Sequence, residues 1–228
     1  FIPQYEIETE VGFSAEFAAQ HFGMDKIAEA LKDGHIQGIV NLVGCSNPRI
    51  VYEKAVVEVA DILLKNNILI MTNGCASFPL MKLGYCSSKA LEQTGEGLRG
   101  FLGDVPPVWH MGECLDNARA SALFSQVAAQ SGHAIKDLPY AFISPEWSNE
   151  KGICAALAFR LLGMNSYHSV YAPVQGSAKV SEFMEHGTKD LLGSEMIVDT
   201  DHIALAERIV SDIRNKRKEL GWDQPHDR

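Results

Sequence analysis

The stretch HIQGIVNLVGCSNPRIVYEKAVVEVADILLKNNILIMTNGC, residues 35–75, contains the pattern that decides the fold. Residues 35–44 form an apolar, β-branched run that predicts a buried strand, and residues 52–66 carry apolar side chains at helical spacing. Residues 67–74 form a second apolar run of strand length. A strand, a helix and a second strand in this order favour a parallel pair joined by a crossover helix.

The same alternation continues along the rest of the chain. Four further apolar runs predict strands at residues 105–112, 138–144, 166–174 and 194–199. Helical patterns occur at residues 87–102, 118–132, 149–163, 177–193 and 203–221. About six strands alternating with helices predict an α/β fold, a Rossmann-like doubly wound parallel sheet with helices on both faces.

We expect one main domain with short additions at both ends. Residues 1–34 predict a helical amino-terminal segment, residues 35–221 the Rossmann-like domain, and residues 222–228 a polar tail. The sequence begins with Phe1, so we expect it to be a fragment or a processed piece of a longer protein.

The composition of the 228 residues narrows the class of protein. Hydrophobic residues make up 46% and charged residues 21%, as in a globular protein with a packed core. The net charge of −9 argues against a nucleic-acid binder, which normally carries a basic face. No run of 18 apolar residues predicts a membrane span, and no leader precedes the first helix. We therefore expect a cytoplasmic protein.

Three of the five cysteines follow predicted strands. Cys45, Cys75 and Cys114 each lie just beyond such a strand, and the carboxyl ends of parallel strands form the ligand crevice of an open α/β sheet. Asn47 and Asp116 are predicted to cap the helices that follow Cys45 and Cys114. Backbone N–H groups at a helix start favour the thiolate, which binds iron or nickel. We predict a metal site, and the alternative is that the three cysteines only fill the core.

Other motifs predict less specific roles. Cys86, Cys154 and His110 are interpreted as packing residues. GEGLRG, residues 95–100, matches the dinucleotide-binding pattern GxGxxG, but it follows a predicted helix and not a strand. We therefore expect these glycines to break a helix and not to bind a cofactor.

Lys151 lies in SPEWSNEKG, residues 144–152, which joins the fourth strand to its helix. If Ser148 caps that helix, Lys151 falls in the first turn, where the helix dipole disfavours a cation. A residue that breaks a local rule at the edge of the crevice is a candidate functional residue. The alternative is a lysine side chain that extends into solvent.

Four motifs together resemble a known family. VGCSNPR (43–49), TNGCAS (72–77), HMGECLDNAR (110–119) and SPEWSNEKG are similar to the carboxy-terminal domain of the anaerobic nickel–iron–sulfur carbon monoxide dehydrogenases. SPEWSNEKG, FRLLGMNSYHSVYAPV (159–174) and MIVDTD (196–201) resemble in particular the carbon monoxide dehydrogenase subunit of the bifunctional acetyl-CoA synthase complex. The resemblance extends from about residue 24 to residue 221 and covers nearly the whole chain.

The resemblance implies a site, a reaction and partners. Cys45 and Cys75 match iron ligands of a Ni-4Fe-4S cluster, Cys114 matches its nickel ligand, and Lys151 matches the lysine that binds the oxygens of carbon dioxide. The implied reaction is the reversible conversion of CO and water to CO2, two protons and two electrons. The implied partners are a second subunit in a homodimer, acetyl-CoA synthase and a ferredoxin-type electron carrier. The remaining cluster ligands and further 4Fe-4S clusters are expected in preceding domains of the same subunit.

Two other functions stay open on the sequence alone. One is a hybrid-cluster type of protein, which reduces hydroxylamine and uses glutamate ligands in addition to cysteine. The other is a metal-free α/β module that serves as a docking or remnant domain. Nickel content separates the first from a carbon monoxide dehydrogenase, and a folded but colourless protein would favour the second.

Overall fold

A computed structural model describes residues 6–114, 116–146, 150–171 and 176–222, excluding the side chains of Glu150 and Lys151. Within these ranges, six parallel strands form one sheet in the order β3-β2-β1-β4-β5-β6. The strands are β1 (Gly38–Val43), β2 (Ile68–Asn73), β3 (Val108–Gly112), β4 (Tyr140–Ser144), β5 (Ser166–His168) and β6 (Met196–Val198). The predicted doubly wound α/β fold is confirmed.

Helices connect the strands as predicted. They are α1 (Ala15–His21), α2 (Met24–Asp33), α3 (Lys54–Lys65), α4 (Ser77–Lys82), α5 (Glu96–Leu102), α6 (Asn117–Ser131), α7 (Glu150–Leu161), α8 (Ala178–Glu182), α9 (Lys189–Leu192) and α10 (His202–Glu219). Short 3-10 helices span Gly74–Ala76, Ser88–Gln93 and Ile135–Asp137, and a π-helix spans Phe183–Gly187. None of the described helices is both long and apolar enough to cross a membrane.

The helices cover both faces of the sheet. The crossover through α3 carries the chain from β1 to β2 in one direction, and the crossover through α6 returns it from β3 to β4 in the other. The right-handed rule for such crossovers puts these two helices on opposite faces. Helix α10 packs against α3, and α2 packs against α6. Every residue of β1, β2 and β4 is therefore buried.

The amino-terminal segment shares the core of the main domain. Phe13 stacks on Trp109 of β3 with ring centroids 5.5 Å apart, and Phe22 stacks on the same ring at 5.8 Å. Trp109 is fully buried, and its indole N–H donates to the carbonyl of Pro106 at 2.9 Å. The first two helices are thus fixed to the edge strand of the sheet by aromatic packing.

The helix predicted at residues 52–66 is present as α3, but the predicted cap by Asn47 was wrong. The Asn47 side chain accepts a hydrogen bond from the backbone N–H of Arg49 at 3.0 Å, which forms a local turn instead of a helix cap. Helix α3 begins only at Lys54, after Glu53 in the left-handed region with φ +65°. An Asn-Pro pair is common both in turns and at helix starts, and the sequence alone does not distinguish these two structures.

The predicted break in the helical run 87–102 lies at Thr94 and Gly95, between the 3-10 helix Ser88–Gln93 and α5, whereas Gly97 and Gly100 continue α5. The Asn67 carboxamide accepts a hydrogen bond from the backbone N–H of Leu98 at 2.9 Å and caps α5 from outside its own segment. A Cβ atom on Gly95 would lie 2.3 Å from the Asn67 side chain, and one on Gly97 would lie 2.9 Å from the carbonyl oxygen of His35. These two glycines permit close packing of α5.

Candidate functional site

The three candidate cysteines lie at one edge of the sheet. Cys45 is two residues beyond the end of β1, and Cys114 is two residues beyond the end of β3. Cys75 lies in the 3-10 helix Gly74–Ala76 that directly follows β2. Because β3, β2 and β1 are parallel neighbours, their carboxyl ends bring the three cysteine-bearing loops to the same edge.

Two of these cysteines border one small cavity. The cavity is lined by Val43, Gly44, Cys45, Asn73, Cys114, Asn117, Gly152 and Ala155. Its volume is about 20 Å³, so a ligand larger than one water molecule must lie at its mouth. The lining residues come from the ends of β1 and β2, the starts of α6 and α7 and the loop after β3, as is usual for a ligand crevice in this fold.

Cys75 is exposed and does not line the cavity, but its loop is joined to the other two. The backbone N–H of Ala76 donates to the carbonyl of Gly44 at 3.0 Å, beside Cys45. Gly74, with φ +70°, lies against Cys114, since a Cβ atom placed on it would be 3.4 Å from the Cβ of Cys114. A larger residue at Gly74 would strain the backbone and crowd Cys114.

Two asparagine side chains, hydrogen-bonded in series, hold the loop of Cys114 in place. Asn41, in the middle of β1, donates from Nδ2 to Oδ1 of Asn117 at 3.2 Å, and Asn117 donates from Nδ2 to the carbonyl of Cys114 at 2.8 Å. Asp116 precedes α6 as predicted, but its carboxylate accepts from the backbone N–H of Glu113 at 2.8 Å and not from the helix. The Cys114 carbonyl is therefore held by a buried strand through two side chains.

The donor atoms suit a thiolate-binding metal but do not complete a site. Across the described ranges, no group of three or more His, Cys, Asp or Glu side chains is placed to hold one metal ion. Soft thiolates are the preferred ligands of iron–sulfur clusters. The described cysteines therefore fit part of such a site, and further ligands would have to come from outside the described residues.

Two buried polar side chains near the site were missed by the sequence analysis. Asn73 is fully buried at the end of β2, and within the described structure neither Oδ1 nor Nδ2 has a hydrogen-bond partner. Glu146 is 1% exposed in the loop after β4. The pKa of its carboxyl group is raised, mainly by burial. The backbone amide of Val56 opposes this shift, and the charge of Glu53 adds to it. In the sequence, only their position as polar residues at or just after the end of an apolar strand could have indicated them.

The start of α7 also reaches the cavity. Gly152 and Ala155 line it, and Lys151 lies in the first turn of this helix as predicted. The Lys151 side chain and Ser148, the predicted helix cap, lie outside the described structure. The helix start therefore approaches the loops of Cys45 and Cys114, while the direction of the lysine is not described.

The other cysteines and His110 differ in their surroundings. Cys86 is buried in the core as predicted, and burial raises the pKa of its thiol to about 12. Cys154 is exposed, so its predicted packing role was wrong. The reason is that Ala156, Phe159 and Arg160 form the buried face of α7, and Cys154 lies off that face. His110 is half-buried in β3, and burial lowers its pKa.

The chain is similar to the members of one known protein family. The model of the prismane/CO dehydrogenase family matches residues 4–203. Over 96% of its length, the chain is 34% identical to a carbon monoxide dehydrogenase of Rhodospirillum rubrum and covers 37% of that protein. It is 35% identical to carbon monoxide dehydrogenase 1 of Methanosarcina acetivorans, with coverages of 96% and 36%. The chain thus spans little more than a third of these relatives.

Solved structures show the same likeness. A nickel-free carbon monoxide dehydrogenase from Thermococcus sp. AM4 superposes with a TM-score of 0.91 at 35% identity, covering 96% of this chain and 35% of that one. An acetyl-CoA synthase/carbon monoxide dehydrogenase with NiZn[Fe4S4] and NiNi[Fe4S4] clusters in its alpha subunits superposes with a TM-score of 0.86 at 27% identity, covering 93% and 34%.

Proposed function

The chain belongs to the prismane/CO dehydrogenase family, and from this premise we propose that it is the carboxy-terminal, cluster-binding part of a carbon monoxide dehydrogenase. The proposed reaction is the reversible conversion of CO and water to CO2, two protons and two electrons. The observation that carries the proposal is the meeting of Cys45, Cys114 and the start of α7 at one cavity. These are three of the segments that resemble the family in sequence.

Cys45, Cys75 and Cys114 are the residues proposed to hold a Ni-4Fe-4S cluster. Three facts support this fit, namely the soft thiolate donors, their common sheet edge and the unpartnered carboxamide of Asn73 beside two of them. When bound, such a cluster supplies a redox centre that accepts the two electrons of the reaction. The remaining ligands, and any further 4Fe-4S clusters, are proposed to belong to preceding domains, since the relatives are almost three times as long.

The chain itself supplies positioning and charge. Asn41 and Asn117 hold the Cys114 loop in place, so the thiol approaches the cavity from a fixed backbone. Lys151, at the start of the cavity-lining helix, is proposed to donate a hydrogen bond to the substrate oxygens and to stabilise negative charge that develops on them. A fixed cation is most effective where water is excluded, and Ala155 of the same helix narrows the cavity.

The proposed partners follow from the relatives. One structural neighbour is an acetyl-CoA synthase/carbon monoxide dehydrogenase, which supports a complex of the complete protein with acetyl-CoA synthase. A homodimer and a ferredoxin-type electron carrier are proposed by the same family likeness. The net charge of −9 argues against nucleic acid as a partner.

The metal content of the complete protein tests this function. We expect the wild-type protein, purified without oxygen, to contain nickel and several irons, and Cys114→Ala to lose nickel and CO oxidation. Cys154→Ala is the matched control, because Cys154 is exposed and does not line the cavity. It should keep both metals and activity.

Two results would support other functions. Iron without nickel in the wild-type protein would favour the hybrid-cluster type of reductase, the other function left open by the sequence. Neither metal, in a folded protein, would favour a docking or remnant domain.

A further inference from the structure

Asn73 is a buried amide without a partner. It is the last residue of β2, between β1 and β3, and its side chain is 0% exposed. In the described structure neither Nδ2 nor Oδ1 makes a hydrogen bond. Asn73 precedes the 3-10 helix Gly74–Ala76, where an asparagine often caps, but no capping bond forms. Local backbone geometry therefore does not explain this residue.

An unpartnered carboxamide destabilises the fold in which it is buried. A buried donor and acceptor that lose their bonds to water and find no partner in the protein lower the stability of the folded state. Val43, the residue paired with Asn73 in register on β1, shows that an apolar side chain is accommodated at this edge. Asn73 also lines the cavity shared by Cys45 and Cys114. The amide thus lies beside the cavity at whose mouth a ligand would bind.

We infer that Asn73 donates a hydrogen bond from Nδ2 to a sulfide of the bound cluster, because the Cys45 and Cys114 sulfurs, present at the same cavity, do not accept one. This inference rests on the proposed function, since it requires a bound cluster. Sulfur carries more negative charge in the reduced cluster, so an N–H donor stabilises the reduced state more than the oxidised one. Asn73 therefore raises the reduction potential of the cluster.

The test compares Asn73→Leu with the wild type in the complete, anaerobically purified protein. Leucine keeps the size of the side chain and removes both polar atoms. Nickel and iron per polypeptide should be unchanged, while one-electron reduction of the cluster becomes about tenfold less favourable, a shift of about 59 mV to lower potential. The midpoint is measured by a redox titration followed by electron paramagnetic resonance. The metal-free variant should melt a few degrees higher, because an unpaired buried amide is gone.

Thr72→Val is the matched control on the same strand. Thr72 is also fully buried, its hydroxyl lies 3.3 Å from that of Ser77, and it does not line the cavity. This variant should leave the cluster potential unchanged and lower the melting temperature. Asn73→Asp retains the shape, replaces the donor with an acceptor and should lower the potential further than leucine does. Asn73→Asp also tests the role of Asn73 if the leucine variant does not fold.

The outcomes separate this inference from the proposed function. Wild-type potential in metal-loaded Asn73→Leu or Asn73→Asp overturns the role of Asn73 and leaves the cluster assignment intact. A wild-type protein without nickel or iron overturns both. A lower potential with unchanged metal content, seen at Asn73 and not at Thr72, supports the hydrogen bond to sulfur.

Discussion

Among single residues, Lys151 is the side chain on which turnover is expected to depend most. Lys151→Ala in the complete protein should keep nickel and iron but slow CO oxidation by roughly 10²–10³-fold, the typical effect of removing one preorganised electrostatic contact. Lys65→Ala is the control, because Lys65 is an exposed lysine at the end of α3, away from the cavity. Metal analysis and CO-oxidation rates measure both effects. Near wild-type turnover in the Lys151 variant would exclude its catalytic role.

His168 is expected to make stability depend on pH. Burial, and secondarily the charge of Arg160, lower its pKa to about 3, against about 6.5 in an unfolded chain. Between these values the unfolded state binds a proton that the folded state does not, so stability falls as the pH drops below 6.5, by up to about 1.4 kcal/mol per pH unit. Above pH 6.5 both states are neutral and the effect vanishes.

The variant His168→Gln isolates this effect. The difference in unfolding free energy between variant and wild type, measured by urea denaturation, should shift in favour of the variant from pH 7 to pH 5. Asp and Glu residues contribute equally to both proteins, so they cancel in this comparison. A difference that stays constant over this pH range would contradict the buried neutral histidine.

The sequence predicted the placement of cysteines better than that of other site residues. Cys45, Cys75 and Cys114 follow strands, and strand ends are visible as the ends of apolar runs. Asn73 and Glu146 gave only weak signals, because their significance lies in which partners surround them after folding. Burial without a hydrogen-bond partner is a tertiary property that residue type and spacing do not encode.

Among the helices, α5 allows a matched pair of substitutions. Gly97→Ala should destabilise the protein, since the added Cβ would lie 2.9 Å from the backbone carbonyl of His35. Gly100→Ala, one turn later in the same helix, meets no atom within 4 Å and should stabilise by roughly 0.5–1 kcal/mol through lower backbone entropy. Thermal or urea unfolding measures both. Stabilisation by Gly97→Ala would show that α5 does not pack as described.

The elements differ in how far the sequence determined them. All six strands were predicted, because strands buried on both faces appear as continuous apolar runs. The cap of α3 was wrongly assigned to Asn47, because Asn47 and Pro48 favour a turn as much as a helix cap. The break before α5 was predicted from its glycines, but the cap of α5 was not, because it comes from Asn67, more than 25 residues earlier in the sequence. Long-range caps are invisible to local patterns.

For the whole molecule, the shared core and the incomplete ligand set lead to different expectations for the chain produced alone. We expect the metal-free chain of 228 residues to unfold in one cooperative transition, since α1 and α10 contribute side chains to the same core. Arg217 of α10 is buried and donates to the backbone carbonyls of Leu31 and Lys32 at the end of α2, which ties the last helix to the second. Differential scanning calorimetry tests this, and two separate transitions would contradict a common core.

The same isolated chain should not assemble a stable cluster. Only Cys45 and Cys114 border the cavity, Cys75 is exposed, and the described residues contain no set of three donors for one metal. After anaerobic reconstitution with iron, nickel and sulfide, we expect the chain to stay nearly colourless, while the complete protein, treated identically, takes up both metals. Stoichiometric nickel and iron in the isolated chain would mean that its own residues complete the ligand set. The preceding domains would then contribute to electron transfer, but their side chains would not be needed to hold this cluster.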